Sequence, residues 1–147
     1  MPALRIDLAV VKGNSSYPYC NVAQYMLGMA NPGQPGTTYL YGHARTGMFL
    51  PFLTKSKINN GASMIGMVVE LYTADKKLHV YKINIVKRHA KDFSLAYDLR
   101  PGQHRLIMQT SEGPNGSYPK LQIAAKPIAV YASTAAAALP TAHPRTC

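Results

Sequence analysis

Two runs in the middle of the chain constrain its fold more than any other feature. They are SMIGMVVELYT (Ser63–Thr73) and KLHVYKINIVKRH (Lys77–His89), joined through the short polar link ADKK. In the second run Tyr81, Ile83 and Ile85 fall on one face, and Lys82 and Asn84 on the other. That is the period of a strand with one face against a core, so the pair predicts a β-hairpin.

The rest of the chain repeats the pattern in shorter pieces. Leu4–Val11 reads as a strand closed by KGNSS, and Thr37–Ala44 as a β-branched and aromatic strand ending near His43. Asn21–Gly28 is short and fits a strand or a helical turn equally. NPGQPG (Asn31–Gly36) is a dense turn, because proline fixes φ and glycine allows positive φ. GMFLPFLTK (Gly47–Lys55) is apolar and contains Pro51, which suits a short helical turn. Asp92–Gly102 is a loop or a helical turn, and Arg105–Thr110 and Lys120–Tyr131 are two further strands. Many short strands, frequent Gly/Pro turns and little helical periodicity predict an all-β barrel or sandwich. The expected organisation is one domain over residues 1–131 and a low-complexity, disordered tail, ASTAAAALPTAHPRTC, over 132–147.

The balance of charge is strongly basic, at +10 for 147 residues. Nucleic acid, anionic lipid or a cell-wall polymer would all suit it. The cations are scattered, though, and the densest run, VKRHAK (Val86–Lys91), reads as a solvated basic face. The ten tyrosines do not form the basic-aromatic motif of an RNA-binding sheet, so no nucleic-acid partner is expected. Neither a signal peptide nor a membrane span is visible, so membrane attachment would require an anchor outside this chain. Cys20 and Cys147 lack metal-site spacing and do not suggest a disulfide framework. Cys20 reads as a small buried hydrophobe, Cys147 as a mobile terminal residue, and no metal or cofactor is implied.

Three residues are candidates for chemistry. His43 follows Gly42 at a strand end and precedes ARTGMF, a loop able to line a cleft, although a histidine there is also an ordinary surface residue. Ser111 ends the strand LIMQTS before Glu112-Gly113-Pro114, as a turn serine would. Lys120 opens the next strand. Together they supply an oxygen nucleophile, an imidazole to move its proton and a cation for a developing oxyanion. Glu112 is a candidate to orient His43.

The order of these segments resembles the sortase family. NPGQPGTTYLYGHARTGMFLPFL matches a Pro-Gly turn, a strand ending in Gly-His, a Phe-containing turn and a Leu. GASMIGMVVELYTADKKLHVYKINIV matches a Gly-led hairpin, and LIMQTSEGPNGSYPKLQIAA a strand, loop and final strand. The likeness runs from about Arg5 to Val130. It implies a closed eight-stranded sortase-like β-barrel with short helical turns, a bacterial cell-surface location, and peptide transpeptidation on a sorting signal or cell-wall component. His43 matches the family's catalytic histidine, whereas Ser111 replaces its nucleophilic cysteine and Lys120 its arginine. Two readings follow: a Ser-dependent transpeptidase or acyl hydrolase, or a catalytically inactive module that binds peptide or anionic wall polymer.

Overall fold

A computed structural model describes residues 1–14, 17–113 and 118–147. Part of the expected loop before Lys120, residues 114–117, lies outside them, as do Ser15 and Ser16 of KGNSS. Seven strands form one curled sheet: β1 (Ala9–Lys12), β2 (Val22–Tyr25), β3 (Gly36–Tyr41), β4 (Val68–Thr73), β5 (Lys77–Ala90), β6 (His104–Ser111) and β7 (Lys120–Ala132). Their order across the sheet is β1-β2-β3-β6-β7-β5-β4. The expected hairpin is the antiparallel pair β4–β5. Three short helices, α1 (Leu50–Ser56), α2 (Ser94–Tyr97) and α3 (Ala135–Ala138), and two 3₁₀ turns complete the described fold. No helix of the described residues is long and apolar enough to cross a membrane.

The all-β expectation holds, but eight strands in a closed barrel does not: the described residues give seven, with β1 and β4 as unpaired edges. The cause is local. Pro2 starts a 3₁₀ turn that Arg5 ends in the left-handed region at φ 52°, so the strand expected from Leu4 begins only at Ala9. Leu4 and Ile6 instead close the seam with side chains, joining Val69 and Leu71 in the main core. A cleft of about 1710 Å³ follows this seam, and His43, Ser111 and Lys120 do not line it.

The centre of the sheet is buried on both faces. Leu106, Met108, Leu121 and Ile123 point into the main core with Tyr81 and Ile83. On the opposite face Tyr39, Ile107 and Ala124 pack under Leu95 and Ala96 of α2. Ile85 was expected beside Tyr81 and Ile83, but a bulge between Ile83 and Ile85 shifts the register by one residue. One extra residue re-aims every side chain after it, and Ile85 packs with the second cluster.

Helix α1 starts at Leu50 with Pro51 in its first turn, where the missing N–H costs no helical bond. It drives Phe52 (1% exposed) into the core, with Phe49 at a ring separation of 5.1 Å. Phe52→Ala is expected to cost about 3–5 kcal/mol and to lower the melting temperature by roughly 10 °C. Thermal unfolding followed by circular dichroism checks this, and a change of only a degree or two would contradict the packing.

The end of the chain departs from the expected disordered tail and mobile Cys147. Thr134 caps α3, its hydroxyl accepting from Ala137 N–H at 3.2 Å. Arg145 then pairs with Cys20 as an isolated antiparallel bridge, and Cys147 forms a disulfide with Cys20 across 127 residues. The covalent link supplies what this alanine-rich segment lacks in apolar surface. A closure of that length removes about 4–5 kcal/mol of unfolded-chain entropy in the chain-entropy model.

Candidate active site

Ser111 and Lys120 are the last antiparallel pair of β6 and β7. Residues directly opposite in such a ladder share a face and reach each other. Accordingly Lys120 Nζ donates to Ser111 Oγ at 2.9 Å, and Nζ also lies 5.4 Å from the centre of the Tyr118 ring. Burial of the amine holds the Lys120 pKa below its ordinary value of 10.5, because desolvation disfavours the ammonium.

One step inward on the same face comes the pair Gln109 and Gln122, both buried. Tyr39 hydroxyl donates to Gln109 Oε1 at 2.6 Å. Gln122 Nε2 donates to the same oxygen at 3.2 Å and to the Asp92 carbonyl at 2.9 Å. This amide pair makes a polar floor beneath Ser111. Burial pushes the Tyr39 pKa well above its usual range, so the phenol stays a neutral donor.

His43 reaches the neighbourhood through the parallel pair β3–β6, in which Tyr41 lies opposite Gln109. Gly42 N–H donates to Gln109 O at 3.1 Å, and Thr110 Oγ1 donates to Gly42 O at 2.8 Å. His43 therefore follows Tyr41 by the same two residues as Ser111 follows Gln109, at the ends of adjoining strands. Phe49 N–H donates to His43 O at 3.1 Å and fixes the turn. His43 Nε2 lies 2.6 Å from the Pro18 carbonyl oxygen, so that nitrogen carries the proton. The Tyr17 ring covers the imidazole at 4.6 Å between centroids, leaving His43 only 9% exposed.

The segment over His43 leads into Cys20. One His43 ring nitrogen and the sulfurs of Cys20 and Cys147 all lie within 4.8 Å of one another. The sulfurs are bonded to each other, so neither is a thiolate able to ligate a metal.

Glu112 does not face His43. Its carboxylate takes the Arg88 guanidinium at 3.1 Å and the His89 backbone N–H and ring at 2.8 and 2.9 Å. Lys87 donates to Ser94 Oγ at 2.9 Å. Three residues of the basic run therefore make polar contacts within the fold.

Residues 1–134 match the family model for the sortase domain. The chain belongs to the sortase family. No curated protein sequence matches this sortase, but solved structures do. Sortase A of Listeria monocytogenes aligns at TM-score 0.70 and 18% identity over 90% of this chain and 86% of that one. Sortase A of Corynebacterium diphtheriae gives 0.69 and 14%, over 87% and 58%. Sortase C1 of Streptococcus agalactiae gives 0.68 and 15%, over 87% and 64%. At such identities the agreement is one of fold.

Sequence reasoning missed Gln109, Gln122, Tyr17 and the pairing of the two cysteines. A signal existed for the glutamines, since each sits two residues inward from Ser111 or Lys120 on its strand and must share that residue's face. Nothing local marked Tyr17, or Cys20 as the partner of Cys147.

Proposed function

We propose that this sortase is a Ser-dependent acyltransferase or hydrolase acting on a sorting-signal-like peptide at a cell surface, with Ser111 as nucleophile. The observation that carries this reading is the 2.9 Å contact between Lys120 Nζ and Ser111 Oγ. A serine hydroxyl needs a proton acceptor within hydrogen-bond reach, and a desolvated lysine is a proper one. Lys120 thus takes the part of general base, where the sequence suggested an oxyanion or substrate clamp.

In its deprotonated form, which burial favours, Lys120 Nζ accepts the Ser111 hydroxyl proton as Oγ attacks the scissile carbonyl carbon. The tetrahedral intermediate collapses to an ester on Ser111, and the peptide C–N bond breaks. The Lys120 ammonium gives the departing amine its proton, and His43, at the adjoining strand end, is the second group able to carry one. An incoming amine or water then attacks the ester and gives its proton to Lys120 Nζ; the ester C–O bond breaks, and Lys120 returns the proton to Ser111 Oγ. The 2.9 Å contact leaves the Lys120 ammonium, once formed, close to the negative charge on the substrate oxygen.

Intact-mass spectrometry after exposure to an activated phosphonate tests the reading on wild type, Ser111→Ala and His43→Ala. A single adduct on wild type that disappears with Ser111→Ala is the expected result. An unmodified wild type would favour the second reading, a sortase-fold module that binds peptide or anionic wall polymer. The covering of His43 by Tyr17 and Pro18 favours that alternative.

A further inference from the structure

We propose that the Cys20–Cys147 disulfide is a thiol-exchange site whose opening by a small-molecule thiol uncovers His43. The consequence for catalysis rests on the reading of His43 given above; the exchange and the uncovering do not. The two sulfurs differ in access, since Cys20 is 2% exposed while Cys147 is exposed. An incoming thiolate therefore meets Cys147 Sγ. It forms a new S–S bond there, the Cys20–Cys147 bond breaks, and the electron pair leaves on Cys20 Sγ. That leaving group departs beside the His43 imidazole, within 4.8 Å. A second thiolate attacks the mixed disulfide, releasing Cys147 as a thiolate and a small-molecule disulfide. Two thiols are oxidised for one protein disulfide reduced.

The bond is also a clamp. His43 is covered by Tyr17 and Pro18, and their segment runs directly into Cys20. Cys20 is held to the chain end by the disulfide and by two backbone hydrogen bonds with Arg145, at 2.8 and 3.3 Å. The last six residues are mostly exposed, so little but these bonds retains them. Tyr19 N–H stays anchored on Gln24 Oε1 at 2.9 Å. Loss of the clamp therefore takes the Cys147 sulfur, now within 4.8 Å of a His43 ring nitrogen, off that ring while β2 stays paired.

The test compares the oxidised full chain, the phosphine-reduced chain and Cys147→Ala. Glutathione is added to the oxidised protein and the mixed disulfide is mapped by peptide mass. Histidine carbethoxylation by diethylpyrocarbonate is then followed site by site. Glutathione is expected on Cys147, and His43 is expected to react roughly fivefold faster or more in both the reduced protein and Cys147→Ala. His79 and His104, held in the sheet, are expected to keep their slow rates. Glutathione on Cys20, a bond that resists millimolar thiol, or an unchanged His43 rate would each overturn the proposal. So would a joint rise at all three histidines, which would mark general unfolding. None of these readouts uses Ser111, so an inert Ser111 toward phosphonate would sink the catalytic reading and leave this one standing.

Discussion

Lys120→Ala is expected to slow phosphonylation of Ser111 by about 10²–10⁴-fold, the range for loss of a positioned general base. Lys120→Arg is the more informative partner. An arginine keeps a cation over the same place but does not give up its proton at any accessible pH. If Lys120 is the base, Lys120→Arg is as slow as Lys120→Ala. If it is only a clamp for the substrate oxygen, arginine restores most of the rate. The pH profile gives a second reading of the same question. Burial favours the neutral amine and lowers the Lys120 pKa from 10.5, and the base form is the deprotonated one. The wild-type rate therefore climbs as pH rises through that lowered pKa and levels off above it. A rate that falls over the same interval would assign the work to the protonated amine and remove the base role.

The sequence carried the strand ends well because their cause is local. The strand expected over Arg105–Thr110 is β6 to within a residue at each end, and Lys120 opens β7 as expected; it is the register of the two strands that sets Ser111 opposite Lys120. The hairpin at ADKK was legible for the same local reason. What failed involved either one extra residue or a long separation. Asn84 carries no mark of a bulge, yet it turns Ile85 onto the other face. Pro2 was too near the start to register as the reason β1 begins late. Cys20 and Cys147 are 127 residues apart, and only the folded sheet brings the chain end back to the segment that leads into β2. Glu112 was assigned by proximity in sequence to Ser111, whereas the next residue on a strand points to the opposite face, where Arg88 and His89 wait. The contact between Lys120 and Ser111 was within reach of the pairing rule, but the resemblance to an arginine-bearing family drew Lys120 toward the clamp role.

A cysteine in place of Ser111 reads the electrostatics of the site without any substrate. Both natural cysteines are in the disulfide and none is free, so Ser111→Cys introduces the one reactive thiol of the oxidised protein. An ordinary thiol with a pKa near 8.5 is only about 3% ionised at pH 7, and only the thiolate is alkylated. Placed where Ser111 Oγ now meets Lys120 Nζ, the sulfur has an ammonium in contact and two buried amides beneath it. The cation lowers the thiol pKa, while partial burial raises it; at hydrogen-bond distance the cation prevails. Iodoacetamide is therefore expected to alkylate Ser111→Cys about tenfold faster than a small free thiol at pH 7. In the double variant Ser111→Cys with Lys120→Ala the acceleration is expected to vanish, since burial then acts alone. A fast reaction that survives loss of Lys120 would place the activating group elsewhere, with the His43 imidazole the next to test. A slow reaction in both would mean that the 2.9 Å contact does not couple the two side chains in solution, and the Ser111–Lys120 mechanism would fall with it.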